Sequence, residues 1–208
     1  MVRRGIVLVL VVVVALAVAY ATRAGQGSPR RALPAGEPAA DAGSLVSAED
    51  LQDLGPAPDI AIKTPSGVRR LSSLRGKVVL VDFWGTWCGP CIESIPIVQR
   101  TYERFSQQGL EVLGVALEHD DGRQVPRFVK AMHMTYPAGV PVSPAPVKLY
   151  VQRNGIPFMA LIDRGGTIRW TEGGYNPTIA ERLPALVGML VREPAPPSSA
   201  SLVEPRSG

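Results

Sequence analysis

Cys88 and Cys91 are the only cysteines in 208 residues. They sit in Trp87-Cys88-Gly89-Pro90-Cys91, a spacing at which the two sulfurs can join in a disulfide. An apolar run, Val78-Val79-Leu80-Val81-Asp82-Phe83, precedes them and a helical pattern follows. The first sulfur is therefore expected at a helix N-terminus, where partial positive charge and unpaired N–H groups favour thiolate over thiol. A zinc site needs about four ligands. Beyond the two sulfurs the chain offers only His119 and His133, which are not spaced as a ligand pair, so no metal is expected. A structural disulfide usually closes a longer loop, because a short one constrains little of the unfolded chain. The better reading is redox exchange through a Cys88–Cys91 couple, with no cofactor besides that disulfide.

Apolar runs alternating with helical patterns position this pair and predict an α/β domain. Val78–Phe83 reads as a buried strand, followed by strands over residues 110–117, 158–163 and 167–171, the last two forming an antiparallel hairpin through Arg164-Gly165-Gly166. After the cysteines, Cys91, Ile95, Val98, Tyr102 and Phe105 recur at helical spacing, with Pro96 expected to kink the helix. Phe128, Val129 and Met132 suggest a further helix, and Thr178-Ile179-Ala180-Glu181 has the pattern of a capping box for the last one. Asp82 is the one carboxylate on an otherwise apolar strand, which is costly unless it has a partner, a task or an edge position facing water. Desolvation would raise its pKa and let it accept a proton.

The N-terminus indicates where the domain works. Arg3 and Arg4 precede seventeen uncharged, mostly apolar residues from Gly5 to Ala21. That length is near the lower limit of about 17–25 for a membrane span. Basic residues ahead of it favour a cytoplasmic N-terminus and an exported remainder. Ala19-Tyr20-Ala21 matches a signal-peptidase site, but the apolar run exceeds the h-region of about 7–15 residues of a cleaved signal, which favours retention as an anchor. The chain thus divides into a membrane anchor over 1–22, a flexible Ala-, Pro- and Gly-rich linker over 23–50, a folded domain over 51–191 and a disordered tail over 192–208. Residues 51–191 hold 15 Lys and Arg against 12 Asp and Glu, a net of +3. Arg69, Arg70, Arg75 and Lys77 form the densest basic group and read as a solvated hairpin, so no nucleic-acid partner is expected.

Val81-Asp82-Phe83-Trp84 followed by Trp87-Cys88-Gly89-Pro90-Cys91 resembles the active-site strand and helix of the thioredoxin superfamily. Three further features resemble its membrane-anchored TlpA/ResA branch, a redoxin or AhpC/TSA-related domain. They are Gly55-Pro56-Ala57-Pro58-Asp59, Leu71-Ser72-Ser73-Leu74-Arg75-Gly76-Lys77, and the Val115-Ala116-Leu117 strand with an extra helix after it. The resemblance implies a four- or five-stranded mixed sheet flanked by helices, an N-terminal β-hairpin and a central insertion. It implies that Cys88 is the exposed nucleophile and Cys91 the shielded resolving thiol, that Gly89 and Pro90 shape the turn between them, and that Asp82 takes the proton of Cys91. It also implies a cis peptide at Pro157, which would keep metals from the thiols and leave the backbone of Ile156 free to pair with substrate. Trp87 is expected as a lid over the cysteines. Trp84 either packs the core or supports the active-site loop. Relatives often carry an acid three positions after the second cysteine, where Ser94 stands here, with Glu93 one place earlier.

These features point to a membrane-tethered protein-disulfide reductase outside the cytoplasm, recharged by a transmembrane electron donor. By family analogy its substrate is apocytochrome c or a copper-site assembly protein. A peroxiredoxin-like peroxidase would carry Thr three residues before its nucleophile, where Gly85 stands. A copper-handling module would need soft or imidazole ligands clustered with the two sulfurs. The acidic stretch Glu118, His119, Asp120 and Asp121 is expected as a solvated loop and helix cap.

Overall fold

The computed structural model describes residues 46–151 and 155–194. The expected anchor in 1–22, the linker as far as residue 45 and the tail beyond 194 lie outside the described residues. Among the described residues no helix is long and apolar enough to cross a membrane.

Seven consecutive buried residues make up β3 (Val78–Trp84), as a strand covered on both faces requires. It pairs in parallel with β4 (Leu110–Ala116) and antiparallel with β6 (Phe158–Ile162). Outside these lie β7 (Ile168–Gly173), antiparallel to β6, and β5 (Ala138–Pro141), parallel to β4. The hairpin of β1 (Ala61–Thr64) and β2 (Gly67–Arg70) docks on β5, giving the order β2-β1-β5-β4-β3-β6-β7. The expected four or five strands are thus extended to seven. The four-residue β5 carries too short a pattern to stand out in the sequence, and once present it gives the hairpin an edge to join. In the β6–β7 turn, the Asp163 carboxylate accepts from the N–H groups of Gly165 and Thr167, and Gly166 takes a φ of 87°, a conformation glycine adopts without steric cost.

Alternation along β3 sends Val78, Leu80 and Trp84 to one core and Val79, Val81 and Phe83 to the other. The first core lies under α1 (Gly89–Phe105) and α4 (Ile179–Arg192), with α2 (Val125–Ala131) contributing Val125. The second lies under the 3-10 turn Leu71–Leu74 and Tyr150 of α3 (Pro144–Tyr150). The residues from Val46 to Asp50 also pack on this body: Val46 is buried in the first core and Asp50 pairs with Arg182 at 3.2 Å.

The caps differ from expectation. Thr178 makes no side-chain cap to α4, because its backbone is already helical (φ −65°, ψ −14°), whereas a capping side chain works from an extended residue. The Thr178 N–H instead donates to the Asn176 side chain. No acid caps α2 either, since its N-cap is Gln124, without a side-chain bond. The basic group around the hairpin is largely exposed, as expected, and three of its members also find partners. Arg69 meets Glu111, Arg70 meets Asp59, and Arg75 donates to the Gly165 carbonyl.

Candidate active site

The loop leaving β3 delivers Cys88 to the N-cap of α1, with Pro90 in the first turn, where its missing N–H costs nothing. Cys88 and Cys91 are disulfide-bonded with their Cα atoms 5.2 Å apart, and the Cys91 N–H donates to Cys88 Sγ at 3.2 Å. Cys91 is fully buried and Cys88 is 4% exposed. The expectation of an exposed Cys88 is therefore corrected. In the oxidised state its sulfur folds into the helix end, held by Cys91 and its N–H, although it remains the more accessible of the two. Exposed Trp87 and Ile92 flank the pair in the chain. Gly89 is exposed at the first position of α1.

Asp82 lies between Leu80 and Trp84 on the α1 face of β3, without exposure. That excludes the edge position facing water. Burial pushes its carboxyl up to about 7. The Tyr136 hydroxyl opposes that rise and is itself driven well above its ordinary value by burial and by the Asp82 charge. The two groups are close enough to shift each other through their side chains, yet neither Asp82 oxygen, nor Tyr136 Oη, nor Trp84 Nε1 has a partner in good hydrogen-bond geometry. Trp84 itself is a core residue, stacked on Phe128 with ring centroids 5.1 Å apart.

Trp87 is latched rather than loose. Its indole N–H donates to the Leu117 carbonyl at 2.9 Å and its ring stacks on His119 at 4.8 Å, leaving it 53% exposed. Glu118 holds the residue before it, accepting from both the Thr86 N–H and the Thr86 hydroxyl at 2.8 Å. Glu118 and His119, read from sequence as part of a solvated loop, are therefore fixtures of the active-site loop. The parallel β3–β4 register was the signal, since the end of β4 must lie beside the loop that leaves β3. Gly85 makes room for this latch. A Cβ there would stand 2.9 Å from Trp87 Nε1 and 3.1 Å from the Leu117 carbonyl. The position at which a peroxiredoxin carries Thr thus has no space even for a methyl group. Gly85→Ala is expected to lower stability by about 1–3 kcal/mol, as overpacking does. Urea unfolding measures it, and an unchanged midpoint would show that the loop yields freely.

The peptide between Ile156 and Pro157 is cis, as the resemblance implies. Pro157 is buried at the start of β6, its carbonyl accepting from the Gly174 N–H, while half-buried Ile156 touches both cores. Ser94 is buried, donating to the Cys91 carbonyl at 3.0 Å, whereas Glu93 faces solvent. Among the described residues no group of three or more His, Cys, Asp or Glu could hold a metal ion.

The arrangement is a dithiol couple at a helix N-terminus, one sulfur fully buried and the other nearly so, on the face of the sheet where a carboxyl is also buried. The chain is 32% identical over 114 residues to the thiol-disulfide oxidoreductase ResA of Geobacillus kaustophilus, covering 54% of this chain and 64% of that protein. It is 29% identical over 128 residues to ResA of Bacillus cereus, covering 61% and 72%. The matched segment thus spans just under two thirds of the first relative and somewhat more of the second. The crystal structure of a thiol:disulfide interchange protein DsbE from Chlorobium tepidum superposes with a TM-score of 0.61 at 29% identity, over 68% of this chain and 99% of that one. The AhpC/TSA family model matches residues 55–171. Matched over more than half of its length, the chain belongs to the AhpC/TSA family, on a thioredoxin fold, and its likeness within that family runs to thiol–disulfide oxidoreductases of the ResA type.

Proposed function

We propose that the protein is a thiol–disulfide oxidoreductase that reduces protein disulfides outside the cytoplasm. The observation that carries this is the Cys88–Cys91 disulfide at the head of α1, with Cys91 fully shielded and, on the same face of the sheet, a buried carboxyl pushed up to about 7. In the reduced form, the Cys88 thiolate attacks a substrate disulfide. A bond forms from Cys88 Sγ to one substrate sulfur, the substrate S–S bond breaks, and the released sulfur takes a proton. Cys91 then gives its proton to Asp82 and attacks Cys88 Sγ, closing the Cys88–Cys91 disulfide and releasing the second substrate sulfur. Two electrons have passed to the substrate. A carboxyl near 7 suits that transfer, because a general base is most effective close to the working pH.

Trp87, Gly89 and Pro90 shape the mouth of the site, and the backbone of Ile156 is our choice for pairing with an extended substrate segment. The N-terminal apolar run tethers the domain to the outer face of the cell membrane. A dithiol donor in that membrane recharges the couple, and apocytochrome c or a copper-site assembly protein is the substrate. The lack of room at Gly85 weighs against a peroxidase.

Equilibration with glutathione or dithiothreitol buffers tests the direction. We expect a potential below roughly −250 mV, near thioredoxin, whereas one above roughly −150 mV, near DsbA, would make the protein a disulfide donor.

A further inference from the structure

Asp82 has a neighbour that the proposed chemistry does not yet use. Across the sheet it is paired with Gly114 on β4 and Met159 on β6. Because Gly114 has no side chain, other groups fill the ground beside the carboxyl. A Cβ on Gly114 would stand 3.0 Å from the Tyr136 ring and 3.1 Å from Trp84 Nε1. The Tyr136 ring meets Tyr102 of α1 edge-on, with centroids 6.0 Å apart. One patch of the core therefore gathers a carboxyl and two donors, a phenol and an indole, all buried and all without a hydrogen-bond partner. Buried polar groups are nearly always partnered. Several orphans side by side, next to a carboxyl that must change charge during the reaction, point to a bond made in only one of its states.

We propose that Tyr136 is a positioning residue of the dithiol site, its hydroxyl donating to the Asp82 carboxylate once that group is charged and so setting the pH at which Cys91 can be deprotonated. This rests on the reading of Asp82 as the base for Cys91. The phenol remains a donor across the working range, because burial and the Asp82 charge both hold its proton on. Other elements around Asp82 offer no competing charge. Gly114 and Met159 are uncharged, and of the buried residues of α1 and α4 only Cys91 can ionise. Among the described residues, the titratable group that acts on Asp82 is Tyr136. A donor to the charged form stabilises that form, so losing it raises the carboxyl further.

The reaction of the reduced full-length protein with 5,5′-dithiobis(2-nitrobenzoate) tests this. Cys88 displaces one thionitrobenzoate to form a mixed disulfide, and attack by Cys91 releases the second. The rate of that second release is followed against pH in wild type, Asp82→Asn, Tyr136→Phe and the double variant. We expect Tyr136→Phe to move the midpoint up by about one pH unit, Asp82→Asn to abolish the titration, and the double variant to match Asp82→Asn. If Asp82→Asn removes the titration and Tyr136→Phe leaves the midpoint in place, the role of Tyr136 is overturned while that of Asp82 stands. If Asp82→Asn leaves the profile unchanged, the base assignment falls and this proposal with it. Should Tyr136→Phe not fold, the wild type decides: the Tyr136 ring-carbon resonance bearing the hydroxyl must move with the Asp82 titration, and a constant shift overturns the proposal.

Discussion

Reduced Cys91→Ser protein mixed with a disulfide-bonded protein substrate is expected to stop at a mixed disulfide through Cys88, with turnover down by roughly 10³-fold or more. Without a second sulfur to attack Cys88 Sγ, nothing within the site can release the substrate. Cys88→Ser is expected to lose turnover to the same degree and to trap nothing. The asymmetry follows from position. Cys88 caps α1 and is the less deeply buried of the two, next to exposed Trp87, whereas Cys91 is one of the positions on the helix's buried face, with Ile95 and Val98, and has no exposure. Of the two, only the first has any exposed surface for a substrate sulfur to meet. Non-reducing electrophoresis followed by mass spectrometry of the crosslinked species reads the result directly. Trapping through Cys91 in the Cys88→Ser protein, at a level comparable with the other variant, would reverse the two roles.

How much of this was legible beforehand depended on the range over which each signal acts. The β3 strand, α1 and the cysteine couple are written in consecutive residues. An apolar run and a helical period with Pro90 in its first turn each declare themselves locally. Asp82 was legible too, since a carboxylate amid valines, leucine and phenylalanine stands out in any strand. What the sequence hid is what the sheet brings together. Tyr136 lies 54 residues beyond Asp82, and only the pairing of β3, β4 and β5 carries it there. Glu118 and His119 read as one acidic, solvated stretch, because the groups they serve, Thr86 and Trp87, lie about thirty residues earlier. The basic hairpin was legible as an exposed one, while the partner that its Arg69 finds, Glu111, lies across the fold. The cis peptide before Pro157 came from family resemblance alone, since no local pattern proposes it.

Asp82→Asn is expected to make the oxidised protein more stable at pH 8 while slowing resolution of the mixed disulfide near neutral pH. A carboxyl raised from 3.8 to about 7 binds its proton more tightly when folded than when unfolded. Below pH 3.8 both states hold the proton and the group imposes no penalty. As pH rises towards 7 the unfolded chain ionises freely while the folded one must keep a proton or bury a charge, so stability is lost across that window and stays lost above it. A shift of about three units corresponds to roughly 4 kcal/mol. Asparagine fills nearly the same volume and never ionises, so the advantage of the variant over wild type should be larger at pH 8 than at pH 4 by on the order of 4 kcal/mol. Taking this difference of differences cancels the packing cost of the amide. It also cancels Asp59, whose lowered pKa lends both proteins stability that fades as pH falls below about 4. Urea unfolding of both proteins at the two pH values, with the disulfide intact, measures it, and an advantage independent of pH would show that the carboxyl is not raised. With the advantage confirmed and resolution slowed, the reason for a charge in the core becomes chemical. The fold tolerates a carboxyl that destabilises it at working pH because the Cys91 thiol, itself without exposure, is served by a base as buried as it is.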